Sequence, residues 1–156
     1  MEQDAIQDHF KGNYCWGCGT LNPVGLHLKS HWDGDETVCT WQPKPEFMAG
    51  PQHILYGGMI ASLIDCHSVS MAIADAYRRE GRSPDSDPLI WYVTGSLHAV
   101  YRKPTPLAAP VTLRARIREV SGRKTTVTCS VSSMGEERVR GEVIAVRVPL
   151  EWRAAG

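Results

Sequence analysis

Residues 56–79 decide the fold, and they read Tyr-Gly-Gly-Met-Ile-Ala-Ser-Leu-Ile-Asp-Cys-His-Ser-Val-Ser-Met-Ala-Ile-Ala-Asp-Ala-Tyr-Arg-Arg. Larger apolar side chains recur there at helical spacing and mark one face, and many of the other residues are small. Two arginines followed by Gly81 suit the C-terminal end of a helix. We therefore predict one long core helix over 56–79, which a sheet can enclose closely because so many of its side chains are small.

The flanking sequence indicates strands on both sides of this helix. Residues 26–32 and 36–41 alternate in polarity around Asp33-Gly34-Asp35, which predicts a hairpin. A short polar N-terminal segment, 1–12, precedes the hairpin as a short helix or a frayed end. Four more strands follow the helix, over 89–101, 111–118, 125–133 and 138–149. This order predicts an α+β fold in one domain, 1–156, with a mostly antiparallel sheet packed on one helix.

The charge and the cysteine content of the sequence argue against some classes of protein and favour others. The 156 residues carry no formal net charge, which argues against a dedicated nucleic-acid binder. Residues 1–100 have a charge balance of −6 and residues 101–156 one of +6, which indicates either solvated strand faces or a basic rim for an anionic ligand. An odd number of cysteines, five, without a signal peptide favours the reducing cytoplasm. Polar residues interrupt the helix, so we expect no membrane span.

Cys15 and Cys18 have the spacing of half a zinc site or of a redox motif. A zinc site needs two more ligands, and His27 and His31 follow closely. A redox motif needs a strand before it and a helix after it, and neither is visible here. The dense Gly, Asn and Pro around these cysteines favour a third interpretation, structural cysteines in a compact loop, in which case no metal is bound.

The helix also carries a possible catalytic arrangement. Gly57 and Gly58 leave free backbone N–H groups at its partly positive end, which can stabilise an oxyanion. Asp65 lies eight residues after Gly57, about 12 Å along the axis, so one carbonyl cannot contact both groups in one chain. If both act on one bond, two copies of the helix must meet, which predicts a homodimer with two sites. Asp65 is either a buried carboxylate in use or a solvent-facing residue.

Neighbouring residues offer one alternative chemistry. His67 cannot share the helix face of Asp65, because residues two apart do not face each other. Cys66 could act as a nucleophile only with a histidine from elsewhere, such as His53 or His98.

The stretch from Tyr56 to Asp65 resembles the helix signature of hotdog-fold acyl-CoA thioesterases of the phenylacetyl-CoA and 4-hydroxybenzoyl-CoA type. Residues 15–19, Asn-Pro at 22–23, Gly-Leu at 25–26 and residues 94–97 are also similar to members of that family. The resemblance implies the hotdog fold, in which an antiparallel sheet wraps a long helix. It further implies an acyl-CoA substrate, homodimers or dimers of dimers, and no cofactor beyond the CoA of the substrate.

The resemblance also implies roles for individual residues. Asp65 matches the catalytic carboxylate, which acts as nucleophile or as general base for water. Gly57 matches the residue whose backbone N–H polarises the thioester carbonyl. Thr94 is the best match for a hydroxyl that positions water, with Ser96 second.

Two positions depart from the family pattern. Tyr56 stands where the family usually has a histidine, before Gly57 and Gly58. Gly50 stands where it has Asn or Gln, and Gln52 or His53 could replace that side chain.

We expect basic residues to bind the phosphates of CoA, namely Arg102, Lys103, Arg123 and Lys124. Rival hypotheses are a non-catalytic hotdog protein that binds acyl-CoA or serves in assembly, a dehydratase or hydratase, and a zinc protein. A dehydratase would need a His–carboxylate pair, which no spacing here clearly provides.

Overall fold

The computed structural model describes residues 3–154. Its strands are β1 (His31–Asp33), β2 (Glu36–Trp41), β3 (Trp91–Tyr101), β4 (Val111–Ser121), β5 (Lys124–Ser133) and β6 (Glu136–Val148). Its helices are α1 (Gly57–Arg79), α2 (Leu150–Ala154) and two 3-10 turns, Ile6–His9 and Pro45–Phe47. The strands form one antiparallel sheet in the order β1-β2-β4-β5-β6-β3. The α+β layout predicted from the sequence, a hairpin, one long helix and four strands, is confirmed.

The helix α1 is the core of the molecule. It begins after Tyr56, whose backbone is extended (φ −55°, ψ 129°), and chain reversal after it uses Gly81 at φ 63°. Leu63 and Ile64 are fully buried against the sheet. The most apolar 18-residue stretch of α1 is 67% buried inside the fold, as in a helix that packs against a sheet.

The sheet presses closely on α1 where β6 crosses beneath it. A Cβ placed on Gly141 would lie 2.7 Å from Cγ2 of Ile64, which is closer than carbon atoms can approach. The glycine at 141 therefore lets the helix sit at this distance without displacing Ile64. On either side, the inward side chains of the sheet are fully buried, such as Val127 and Val143.

Strand β3 forms one edge of the sheet, and within residues 3–154 it is bonded to β6 alone. Its register shifts between Thr94 and Ser96, which marks a bulge around Gly95. Thr94 pairs with the buried Ala145 and faces α1, whereas Ser96 pairs with Ile144 on the opposite face of the sheet. The bulge therefore changes which alternate residues of β3 point at the helix.

The predicted strand over 26–32 starts too early, because β1 begins only at His31. The preceding backbone bonds to loops instead of to a strand. The N–H of Leu26 bonds to Trp16 O at 2.8 Å, and Ser30 O accepts from the N–H of Ile6 at 2.8 Å. His27 has a positive φ of 51°, which a strand residue does not adopt.

Most arginines of residues 101–156 form ion pairs with carboxylates on the outer face of the sheet. Arg114 bonds to Asp33 at 2.9 Å and to Glu36 at 3.1 Å, and Arg116 reaches Glu36 at 2.8 Å. The paired guanidinium of Arg116, followed by that of Arg114, lowers the pKa of Glu36. These residues form solvated strand faces, one of the two interpretations of the charge pattern.

Candidate active site

Asp65 and Thr94 meet where α1 crosses β3. The hydroxyl of Thr94 donates a hydrogen bond to Oδ1 of Asp65. Burial raises the pKa of the Asp65 carboxyl, and the hydrogen bond from Thr94 opposes that effect. Asp65 is therefore a partly buried carboxylate held by one hydroxyl, and it is not a solvent-facing residue.

An apolar cavity of about 260 Å³ opens beside this pair. Asp65 and Thr94 supply polar atoms to walls that are otherwise largely apolar. The apolar lining includes Phe10, Val69, Ile73, Trp91 and Tyr92. A cavity of this kind suits the acyl part of a ligand placed next to one carboxylate.

The start of α1 borders a second cavity, of about 370 Å³, which Gly57 lines together with Tyr101, Arg102 and Lys103. The hydroxyl of Tyr101 donates to the backbone oxygen of Gly57 at 2.7 Å. The N–H groups of Met59 and Ile60 bond to the Tyr56 oxygen. Among the described residues, the N–H groups of Gly57 and Gly58 have no partner, so the positive end of the helix is open to a ligand.

Gly57 and Gly58 differ in the space available for a side chain. A Cβ on Gly58 would lie 2.5 Å from the ring of Tyr56, which folds back over it, so this glycine makes room for the ring. A Cβ on Gly57 would lie 3.5 Å from Tyr101, an ordinary contact. Tyr56 itself is 56% exposed, and it is free to contact a ligand at the helix start.

No amide side chain joins the Gly57 cavity in residues 3–154. Gly50 is exposed, with no atom within 4 Å of a Cβ placed on it. Gln52 and His53 lie in an exposed turn, where the His53 oxygen accepts a hydrogen bond from Leu107 at 2.9 Å. Neither side chain lines the two cavities.

The expected phosphate ligands fall into two pairs at opposite ends of β3. Arg102 and Lys103 follow its Tyr101 end, where they approach Glu137 (3.9 Å) and Glu136 (3.2 Å). Lys124 pairs with Val146, which in turn pairs with Val93 at the Thr94 end. Arg123 and Lys124 form no ion pair with any described residue. Within one chain, Arg102 and Lys103 therefore lie at the Gly57 cavity, whereas Arg123 and Lys124 lie at the Thr94 end of the sheet.

His67 has a structural environment rather than a catalytic one. Its Nδ1 accepts from the Ser30 hydroxyl at 2.8 Å, and its Nε2–H donates to the Thr37 oxygen at 3.1 Å. The Ser30 hydroxyl in turn accepts from Gln7 at 2.8 Å. This chain of bonds fixes a neutral tautomer and ties the N-terminal segment and β2 to α1.

The thiol of Cys66 lies beside two other cysteines and not beside a histidine. Its Sγ is 3.7 Å from Sγ of Cys15, and the three sulfurs of Cys15, Cys18 and Cys66 lie within 4.8 Å of one another. His98 pairs with Glu142 along the sheet, away from this cluster. Among the described residues, no Cys–His nucleophile pair forms.

Two residues of this region, Cys66 in the cysteine cluster and Tyr101 at the start of α1, were not predicted from the sequence to lie there. Cys66 completes the cluster in place of His27, which bonds to the Asn22 oxygen, and of His31, which starts β1. Tyr101 reaches the first turn of α1 from 44 residues away. The only sequence signal for Cys66 was its place beside Asp65, and none pointed to Tyr101.

No family model matches the sequence. The chain is 38% identical to a thioesterase superfamily protein from Shewanella loihica PV-4, over 78% of this chain and 91% of that one, and the crystal structure of that protein superposes with a TM-score of 0.64. The PaaI protein from the phenylacetic acid degradation operon of E. coli is 13% identical and matches in fold, with a TM-score of 0.63 over 80% and 81% of the two chains. The acyl-coenzyme A thioesterase THEM4 of Mus musculus is 26% identical over 104 residues, 67% of this chain and 39% of that protein. The chain thus spans less than half the length of this curated relative.

Proposed function

We propose that this chain, which belongs to the thioesterase superfamily, hydrolyses the thioester of an acyl-CoA to a free acid and CoA. The observation that carries this proposal is the partly buried carboxylate of Asp65, bonded to Thr94 at the wall of an apolar cavity. Burying a carboxylate without a cationic partner is costly, and catalysis is a reason to retain it. The hotdog architecture supports the same conclusion.

In the proposed reaction, Asp65 acts either as general base or as nucleophile. As a base, its free oxygen takes a proton from water while the water oxygen bonds to the thioester carbon, and the C–S bond then breaks to release CoA. As a nucleophile, its free oxygen bonds to the thioester carbon and the C–S bond breaks to release CoA as the thiolate, which takes a proton from water; a second water then hydrolyses the resulting anhydride to the free acid and the Asp65 carboxylate. The Thr94 hydroxyl occupies one carboxylate oxygen and so directs the other toward the cavity. Partial desolvation makes this carboxylate a better base than an exposed one.

The oxyanion that forms during attack needs hydrogen-bond donors, and the candidate donor at the start of α1 lies far from Asp65 in its own chain. The N–H of Gly57 is about 12 Å away along α1. We therefore assign the donor to Gly57 of the partner subunit in a homodimer. Its N–H has no partner among the described residues, and it lies at the positive end of α1.

The edge strand supplies a way to build this dimer. Strand β3 is 11 residues long and is bonded on one side only, which leaves a row of backbone groups for another copy. Antiparallel pairing of two β3 strands about a two-fold axis sets the Thr94 end of one against the Tyr101 end of the other. Each of the two sites would then combine Asp65 and Thr94 with Gly57 of the partner subunit.

The same pairing would gather the cations that one chain keeps apart. Arg123 and Lys124 lie at the Thr94 end of the sheet, and Arg102 and Lys103 lie at the Tyr101 end. In the dimer, one pair from each subunit would flank each site, which suits the several phosphates of CoA. The acyl group would enter the cavity next to Asp65.

Measuring CoA release from a panel of acyl-CoAs tests the proposal. Free CoA is best separated chromatographically, because the exposed thiol of Cys15 would react with a thiol reagent. Asp65→Asn should lower kcat by at least 10²-fold on the best substrate, since general-base catalysis is worth about 10²–10⁴-fold. Asp75→Asn is the matched control on the same helix, where the carboxylate bonds to Arg79 on the surface. Near-normal turnover by Asp65→Asn would contradict the assignment.

Non-catalytic binding of acyl-CoA is the second candidate. The observation that favours it is the missing amide at Gly50, with neither Gln52 nor His53 in the Gly57 cavity. Calorimetric binding of a non-hydrolysable acyl-CoA thioether, with no CoA release from any thioester of the panel, would support this alternative over hydrolysis.

A further inference from the structure

Three cysteines meet at the wall of the Asp65 cavity. Cys15 and Cys18 come from the loop before β1, and Cys66 comes from α1. All three are free thiols, and their sulfur atoms lie within 4.8 Å of one another. The proposed hydrolysis uses none of them. In the described residues, no other group of three metal-binding side chains converges in this way.

The spacing of the sulfurs suits coordination to one ion. Tetrahedral zinc holds thiolates at about 2.3 Å, which places any two sulfurs of the tetrahedron about 3.8 Å apart. The Sγ atoms of Cys15 and Cys66 are 3.7 Å apart. A disulfide would need these atoms at about 2.0 Å, and it would leave the third thiol, Cys18, without a role.

The loop is built around the two cysteines that it carries. The N–H of Gly19 bonds to the Cys15 oxygen at 2.7 Å, and the N–H of Cys15 bonds to the Asn13 side chain at 3.0 Å. The Asn13 amide also approaches Sγ of Cys18, at 3.6 Å. Such an N–H donor stabilises a sulfur that carries negative charge, as a metal-bound thiolate does.

The loop also sits directly on α1. A Cβ on Gly17 would lie 2.2 Å from Sγ of Cys66, and a Cβ on Gly19 would lie 2.4 Å from the Cys15 nitrogen. Because Gly17 has no side chain, the loop backbone lies against Cys66, and this contact brings Cys66 close to the other two thiols. The clash at Gly19 is with the backbone of the loop itself, so that glycine keeps the loop compact around Cys15.

We propose that Cys15, Cys18 and Cys66 form a three-thiolate site for Zn²⁺. Thiolates are the ligands that this soft divalent ion favours, and water from the adjoining cavity would complete the tetrahedron. Binding displaces the remaining thiol protons to solvent, and no electrons are transferred. The ion would hold the loop against α1 and so fix one wall of the cavity that contains Asp65.

The test uses the full-length reduced protein and Co²⁺ or Zn²⁺ alone as the probe. Zinc content is measured on protein purified without chelator, and Co²⁺ is titrated into metal-free protein, since thiolate-bound cobalt has intense charge-transfer absorption. We expect one ion per chain, thiolate absorption, and displacement of Co²⁺ by Zn²⁺. Cys15→Ser and Cys66→Ser should each weaken binding at least tenfold, whereas Cys129→Ser, a buried core thiol outside the cluster, should leave the affinity unchanged.

Three outcomes would overturn the proposal. They are the absence of stoichiometric binding by the reduced wild-type protein, equal affinity of the Cys66→Ser and Cys129→Ser variants, and a Cys15–Cys66 disulfide in a protein whose reduced form binds no metal. Circular dichroism separates loss of binding from loss of folding. If Cys66→Ser unfolds, Cys15→Ser in the exposed loop supplies the same comparison. None of these measurements depends on thioester hydrolysis, so the metal site and the proposed function can fail separately.

Discussion

Acidification from pH 7 to pH 5 should destabilise this fold through one side chain, His67. Burial lowers the pKa of this imidazole from 6.5 to about 4, and the bond to the Thr37 oxygen opposes burial only in part. Its direct partners, Ser30 and Thr37, are neutral, so no negative charge compensates a proton on the ring. Protonation would also remove the acceptor that Nδ1 presents to the Ser30 hydroxyl.

The sign and the size of the effect follow from these two values. The unfolded chain binds a proton at His67 below about pH 6.5, and the folded protein binds one only near pH 4, so falling pH favours the unfolded chain. Between pH 7 and pH 5 the loss amounts to about 2 kcal/mol, and it levels off below about pH 4. Carboxylates that titrate over that interval affect the wild type and a variant without His67 alike, so their contribution cancels in a comparison of the two.

Urea unfolding of the wild type and of His67→Gln, at several pH values from 7 to 5, measures this loss. Glutamine does not titrate, yet its amide can still donate to the Thr37 oxygen, so the variant keeps one bond of the network. We expect the free energy of unfolding of the wild type to fall by about 2 kcal/mol more than that of the variant. Equal pH dependence in the two proteins would refute the structural role assigned to His67.

Three further predictions concern packing and the proposed site. Gly141→Ala should destabilise the fold by about 1–3 kcal/mol in urea unfolding, because its methyl group would overlap the helix, whereas Gly50→Ala has open space and should be neutral. Thr94→Val should lower kcat about tenfold or more through loss of a charge-assisted hydrogen bond; an unchanged kcat would remove Thr94 from the site. The double variant Arg123→Ala/Lys124→Ala should raise KM for acyl-CoA at low salt and leave kcat unchanged; the same KM as the wild type would place the phosphates elsewhere.

Much of the fold was predictable because its signals are local. Residues 56–65 carry the helix signature of the hotdog fold, and period-two alternation marks β2 and the four strands after the helix. The hotdog prediction is confirmed. Residues 26–30 alternate equally well, but backbone bonds of this segment go to Trp16 and to Ile6, which lie outside any sheet. Alternation alone cannot distinguish a strand that pairs in the sheet from an extended segment that bonds to loops, since both bury every second side chain.

The site residues were predictable where they belong to a motif that resembles the family. They were not predictable where only tertiary packing brings them together. Asp65 and Thr94 followed from the resemblance, and the structure brings them together. The third thiol of the cysteine cluster lies 51 residues beyond Cys15, and only the close packing of Gly17 on α1 connects them. The bulge at Gly95, which turns Thr94 toward Asp65 and Ser96 away, leaves no reliable mark in the sequence beyond the glycine itself.

The proposed dimer requires that each active site combine Asp65 of one subunit with the Gly57 N–H of the other. Gly57→Pro removes that N–H with little strain, because proline suits the first helical position and Tyr56 already has the extended backbone that precedes proline. Asp65→Asn and Gly57→Pro should each lower the activity of their own homodimers by about 10²-fold or more.

Co-expression of these two variants, with a different tag on each, yields a mixture that tests the claim directly. A dimer with one subunit of each kind has one site in which both groups are intact and one in which both are lost. Random pairing should therefore restore roughly a quarter of the wild-type kcat per chain, and purified mixed dimers should recover about half. If the mixed dimers stay as inactive as either parent, Asp65 and Gly57 do not act across the subunit interface, and the account of the site is contradicted.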